Sequence, residues 1–402
     1  MNQFDLWGEQ MRVDPLPTLA QMRAEAPIVR LFNPHQEAPE WRVTRYADVV
    51  ELLRDRRFSK DKRKLSDQAR SRYFRVTEFD RLDKHMLYAD PPEHSRMRAL
   101  VAKAFTPRRI SQLRPRIAEA TESLLDLAEQ QDSVDLLGTL AFRLPITVLV
   151  ELIGVPIEDQ ERFREWTRIL IAPPSEGNFD ALRRMAIEFQ QYLEEFLALR
   201  RRHPRDDLTS ALIEAQTHGD RLSSVELMSM VFLLIAAGFE TTGNLIGNGV
   251  WALLRHPAQL RRLHDTPELI EPAIEEVLRY CPPVANSTGA FPLTDVEFRG
   301  TVIPAEELVV ASLLSAHHDD ERFPEPDRFD ITRTPNQHLG FGHGLHFCLG
   351  SSLAKLEAEV AIGTLVQRFP RLGFAADPDT LRWKIGVFVH GLECLPVTWE
   401  AR

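Results

Sequence analysis

Apolar residues recur at spacings of three and four from His94 to Arg255, so this stretch reads as almost continuous helix. Pro107, Pro145, Pro156, Pro173 and Pro204 punctuate it. Within it, Ser223 to Arg255 predicts one helix of about 33 residues, roughly 50 Å long at the usual rise per residue. Ser223 and Glu226 make a capping box at its start, and His256-Pro257 stops it. A second helix is predicted from Thr266, with Pro267 in its first turn, to Tyr280. Tyr46 to Asp55 also reads as helix. Strand-like stretches are Ile28 to Phe32, Trp41 to Thr44 and, around turns at Gly300 and Pro304, Val296, Phe298, Val302 and Leu308 to Leu314. A last helix follows Cys348, from Leu349 to Arg368, and Leu381 to Trp399 closes the chain with strand-like runs. The pattern is mainly α with minor β at both ends of the sequence. No repeat or flexible linker interrupts it, so 1–402 is expected to be a single domain.

Composition narrows the function classes. With 49 basic against 59 acidic residues the net charge is −10, which argues against a nucleic-acid binder. The start of the chain has no apolar run, and Leu227 to Phe239 is shorter than the roughly 20 residues a membrane span needs. A cytoplasmic protein without a membrane partner is expected. Three cysteines, Cys281, Cys348 and Cys394, make no disulfide framework and fit a reducing compartment.

One cysteine stands in unusual company: Phe341-Gly342-His343-Gly344-Leu345-His346-Phe347-Cys348-Leu349-Gly350. Glycines ahead of it permit positive φ and a tight turn. The helix behind it presents free N–H groups that favour a thiolate, and Gly350 leaves room for a flat ligand. A lone cysteine in such a turn is more often a buried core thiol. No CxxC pair or Cys/His quartet accompanies it, which argues against zinc. Midway along the long helix, Ala236-Ala237-Gly238-Phe239-Glu240-Thr241-Thr242 combines a helix-weakening glycine with two threonines. Thr241 can bond back to the Ala237 carbonyl and bend the helix, opening space beside a carboxylate–hydroxyl pair. A close-packed helix crossing with Glu240 in solvent is the competing reading.

Together these segments resemble cytochrome P-450. The resemblance spans Trp41 to Leu395, with Phe341, three glycines, His346 and Cys348 matching the haem-ligand signature. It implies the triangular, mainly helical haem-thiolate fold and a haem b cofactor with Cys348 as the axial iron ligand. It places Phe341, His346 and Gly350 at the cofactor, and Ala237 and Gly238 over its face. Glu240 and Thr241 would deliver protons to dioxygen. His94 and Arg98, four apart on one helix face, would bind propionates, although alone they read as an exposed cationic stripe. Glu276 and Arg279, alone an ordinary surface pair, would brace the haem core with Arg328 as third partner.

Two places depart from the family pattern. Ala290 stands where an arginine to a propionate is usual, and His317-His318 before Asp319 stands where Asn-Arg is usual. The implied activity is monooxygenation, hydroxylation or epoxidation of a small apolar substrate, free or carrier-protein-bound, in bacterial secondary metabolism. Oxidative coupling, peroxygenation and a non-catalytic docking role on an assembly line are the rivals. With no reductase fused on, electrons would come from a ferredoxin and ferredoxin reductase. An acidic ferredoxin would meet a basic patch of Arg96, Lys103, Arg108, Arg109, His343 and Lys355. Substrate-pocket walls are expected from Arg72 to Leu87, Ile169 to Asn178, Leu233 to Ala237, Val284 to Phe291, and Val387-Phe388.

Overall fold

The computed structural model describes residues 4–103, 105–171, 176–215, 222–384 and 388–400. The elements that matter for the site are the helices α1 (Glu93–Ala102), α2 (Arg114–Ala128), α3 (Arg143–Ile153), α4 (Ser224–Gly238), α5 (Glu240–Arg255), α6 (Ile270–Tyr280), α7 (Leu313–His317) and α8 (Ser351–Arg368), and the strands β1 (Ile28–Asn33), β2 (Ala38–Val43), β3 (Phe58–Ser59), β4 (Phe291–Pro292) and β5 (Leu308–Ala311).

The long helix forms as two. The capping box is present, with the Ser223 hydroxyl accepting from the Glu226 N–H and the Glu226 carboxylate accepting from the Ser223 N–H. The helix is interrupted at Phe239, where the Thr241 hydroxyl donates to the Ala237 carbonyl (2.8 Å) and the Thr242 hydroxyl to that of Gly238 (3.0 Å). Such i−4 back-bonding bends helices, as the sequence predicted for Thr241. The break also marks a change of surroundings. Leu227 to Phe239 pack with Ile146, Leu149, Phe163 and Phe189, whereas Leu245 to Leu254 pack with α2, α6 and α8 through Ile117, Val277 and Ile362. Two apolar clusters thus share one helical rod.

The β regions from the two ends of the chain join in one sheet, because β2 pairs antiparallel with β1 and parallel with β5. The strand expected through Leu314 stops at Ala311, opposite the end of β2 at Val43, and the chain turns into α7. A ladder cannot outrun its partner. A separate short pair joins β3 to β4, with Phe58 opposite Pro292 and Ser59 opposite Phe291. Among the described residues of the strand-like run at the C-terminus, Pro396–Thr398 is a strand, and an isolated bridge joins Trp383 and Leu392.

Candidate active site

The cysteine loop is shaped by its glycines. Gly342 and Gly344 take φ of 72° and 71°, a region other residues adopt only at a cost. A Cβ on Gly344 would also lie 2.9 Å from the Leu53 carbonyl. The turn closes through the Cys348 N–H to the Phe341 carbonyl (2.9 Å), and Gly350 then caps α8.

Cys348 is exposed, but into a cavity of about 720 Å³ rather than to bulk water. The cavity lies where three apolar clusters meet, taking Leu149 and Leu233 from one, Leu245 and Leu353 from another, and Phe58, Val309 and Leu313 from a third. Burial raises the Cys348 thiol pKa, and the backbone N–H groups of Gly350 and Ser351 oppose this without overcoming it. The helix end alone therefore does not make the expected thiolate. A bound metal ion would, since coordination deprotonates a thiol outright.

The same cavity receives Phe341, His346, Gly350, Ala237, Gly238, Thr241, His94 and Arg98, so nearly all the residues singled out by sequence converge on it. Gly238 contributes backbone only, and a Cβ there would meet Leu149 Cδ2 at 2.9 Å. Gly350 is different. The nearest atom to a Cβ there is the Cys348 sulfur at 4.0 Å, so the protein itself leaves that space open.

A protein-family model described as Cytochrome P450 matches residues 267–387. Cytochrome P450 107B1 of Saccharopolyspora erythraea is 47% identical, covering 94% of this chain and 93% of that one. The cytochrome P450 monooxygenase PikC of Streptomyces venezuelae is 43% identical, covering 98% and 93%. Among solved structures, a myxobacterial cytochrome P450, CYP267B1 in complex with myristic acid, superposes with a TM-score of 0.96 at 44% identity, covering 99% of each chain. P450BioI in complex with an acyl carrier protein bearing hexadec-9Z-enoic acid superposes with a TM-score of 0.87 at 37% identity, covering 96% and 98%.

The chain belongs to the cytochrome P450 family.

It is a P450-type oxidoreductase with the P450 fold, and the family's prosthetic group is haem. The cavity of this P450 suits that group. Beside Cys348, the imidazole of His94 packs edge-on against that of His346, with ring centroids 4.5 Å apart. His94 is buried, 1% exposed, yet its Nδ1 has no partner. Burial, then the positive charges of Lys60 and its neighbours, push His346 down to about 3. His94 is lowered by burial and by Arg98. Among the described residues no carboxylate pairs with Arg98. An orphaned donor–acceptor ring and an unpaired cation on a cavity wall are groups that propionate carboxylates would satisfy.

Glu240 does not reach the cavity. It is buried rather than in solvent, and its Oε1 accepts from Lys384 Nζ (3.0 Å) and Asn244 Nδ2 (3.4 Å). Thr242, which the sequence reading passed over, lines the cavity beside Thr241. Glu357 was also missed. It is 2% exposed on α8, and burial pushes its pKa up to about 8, so it holds a proton at neutral pH. Its place among Leu353, Leu356 and Val360 on a buried helix face was the available signal.

The expected Arg328 brace is corrected. Arg279 donates to both oxygens of Glu276 from one guanidinium edge, through Nε and Nη2 at 2.8 Å, but the third partner is Arg333, whose Nε lies 3.2 Å from Glu276 Oε1. Arg328 points outward to Glu325 and Asp330 and gives the cluster only its backbone carbonyl. His317 and His318 lie away from the cavity. His317 Nε2 accepts the Leu339 N–H at 2.7 Å, and His318 bridges Asp327 and the Tyr280 carbonyl. Their departure from the family pattern therefore concerns packing. Of the expected basic patch, Arg96 pairs with Glu226, Arg109 with Asp206 and Lys355 with Glu275, so much of its charge is internally met.

The apolar walls come from Met86, Leu87, Leu233, Leu234, Val284 and Phe388. The expected contribution of Arg72 to Leu87 shrinks to its last two residues. Val387 and part of Ile169 to Asn178 lie outside the described residues.

Proposed function

We propose that this P450 inserts one atom of O2 into an apolar small molecule of bacterial secondary metabolism, by hydroxylation or epoxidation, acting as a single cytoplasmic domain. The observation that carries the reading is the shared cavity. Thr241 at the helix break and Cys348 at its loop face one space in which the polar Lys60, His94, Arg98 and His346 adjoin an aliphatic and aromatic wall of Met86, Leu87, Leu233, Leu234, Val284 and Phe388. Such walls bind apolar ligands, and myristic acid occupies the similar myxobacterial structure. The helix pair Ser224–Arg255 is long and apolar enough to cross a membrane, but 67% of its most apolar window is buried inside the protein, which supports a soluble role.

Haem would be held by Cys348, with His94, Arg98 and His346 meeting its carboxylates, and would supply the oxygen chemistry. The protein's own part is binding, exclusion of water and proton supply. Insertion of one oxygen atom releases the other as water, which consumes two protons and two electrons. Thr241 holds its proton at Oγ1 on the cavity wall, donated to the Ala237 carbonyl in the absence of a better acceptor. Glu240, adjacent in the chain but turned from the cavity to Lys384, is assigned as the carboxylate that would return that proton by way of intervening water. A ferredoxin and ferredoxin reductase supply the electrons, docking over the exposed Lys103 and Arg108. The substrate is free or carrier-bound, the latter supported by the related P450BioI complex.

Reconstitution with a ferredoxin system and isotopically labelled O2 tests the reading. One labelled oxygen per product molecule is expected, and product oxygen drawn from water would defeat it. Neutralising Lys103 and Arg108 should weaken ferredoxin-supported turnover and spare peroxide-driven turnover; equal losses would remove the docking assignment.

A further inference from the structure

We propose that Lys60 supplies, from across the β3–β4 ladder, the cation that binds a haem carboxylate in this chain, taking over the place left by Ala290. The proposal rests on reading the cavity as a haem site. The pairings of Phe58 with Pro292 and of Ser59 with Phe291, carried one step further in the same antiparallel register, set Lys60 opposite Ala290. Opposed residues of such a pair project side by side, so a long side chain from position 60 reaches the space that one from position 290 would have filled. Lys60, Thr288 and Ala290 all line the cavity. The Lys60 ammonium donates to the Thr288 carbonyl at 2.9 Å and to the Thr288 hydroxyl.

Charge balance at this end of the cavity calls for an anion. Both side-chain partners of Lys60 are neutral oxygens, and burial pushes its pKa down to about 8. The nearby carboxylate, Asp90, is already engaged by Lys64 Nζ at 2.8 Å, by the Ser59 hydroxyl and by the Lys60 backbone N–H. Lys60 and Arg98 line the same cavity as the orphaned His94 ring and the His346 ring packed against it. A half-buried ammonium with neutral hydrogen-bond partners is costly, and a carboxylate arriving beside it offsets that cost. Ala290 itself is pinned by reciprocal bonds to Val309, at 3.0 and 2.9 Å, so its methyl cannot swing aside or be replaced by a neighbour on its own strand.

The test is retention of haem by the substrate-free protein, read as transfer to excess apomyoglobin in the Soret band. Lys60→Met should lose haem about tenfold faster than wild type, while its reduced, carbon-monoxide-bound spectrum stays that of a thiolate haem. Lys60→Gln keeps a donor for Thr288 and removes the charge, so it separates charge from folding and should lose haem equally fast. Lys60→Met combined with Ala290→Arg should recover most of the retention. Wild-type retention in Lys60→Gln would overturn the proposal, as would no recovery in the double variant when its apo-protein melts like wild type. A substrate carboxylate as the true partner of Lys60 would show as unchanged haem loss, which also overturns it. Should wild type itself lack the thiolate-type spectrum, the haem-thiolate reading fails rather than the assignment of Lys60.

Discussion

At the residue scale, the site depends on two side chains whose surroundings pull against their chemistry. Cys348 sits at a helix start that favours a thiolate, yet its burial in the cavity wall favours the thiol. Bonding to iron would resolve the conflict, and on that proposal Cys348→Ser should abolish the red-shifted absorption of the reduced, carbon-monoxide-bound protein. Survival of that band would rule Cys348 out as the ligand. Thr241 faces the cavity with its hydroxyl engaged, among the described residues, by the Ala237 carbonyl alone. Thr241→Ala should cut product formed per electron consumed by at least about tenfold, within the range of a lost proton donor, while substrate affinity holds. The Glu276 cluster separates look-alike arginines. Glu276→Gln leaves the fully buried Arg279 with too little negative charge and should cost about 3–5 kcal/mol. Arg328→Ala, at an exposed pair, should change stability by less than about 0.5 kcal/mol. Denaturant midpoints compare the two.

At the element scale, the α4–α5 rod is a device for placing two cores around one cavity. Its glycines differ in what they protect. A Cβ on Gly243 would come within 2.3 Å of Phe142 Cδ1 and 3.0 Å of the Ala141 carbonyl, and that backbone cannot yield. Gly243→Ala should therefore destabilise by about 1–3 kcal/mol, in the range of overpacked cores. A Cβ on Gly238 meets only the tip of Leu149. There the gain of about 1 kcal/mol in helix propensity opposes a small repacking, and Gly238→Ala should be close to neutral in thermal unfolding. The break itself was legible in the sequence because its cause is local: a threonine hydroxyl finds a carbonyl four residues back. The end of β5 at Ala311 was not, because it is set by where β2, some 270 residues earlier in the chain, runs out of partners.

At the scale of the whole molecule, burial has stored a pH dependence. Burial pushes His390 down to about 4 and His85 down to about 3. Both rings are neutral in the folded protein, the first stacked on Trp383 and the second between Tyr88 and Phe232. The unfolded chain takes up these protons at the ordinary histidine value of about 6.5. Below that pH the unfolded state binds more protons, so stability is full above about 6.5 and falls as pH drops toward the folded values. Each ring should contribute a slope of about 1.4 kcal/mol per pH unit between about 6.5 and 4. A His390→Phe variant should show a shallower loss of denaturant midpoint over that window; an unchanged slope would remove His390 from the account.

What the amino-acid order determined by itself was everything satisfied within a few residues. Positive φ at Gly342 and Gly344, the capping box at Ser223 and the back-bond of Thr241 all belong to this class. Chain-wide motif order then carried the family and the fold. Tertiary structure decided what depends on distances between remote segments and on loss of water. It turned Glu240 from the cavity to Lys384, chose Arg333 over Arg328, and removed His317 and His318 from the haem question. It also raised the Cys348 thiol against its own helix and brought Lys60 and Ala290 to the lining of one cavity. A charge's partner and its hydration are properties of the packed chain, and no local pattern encodes them.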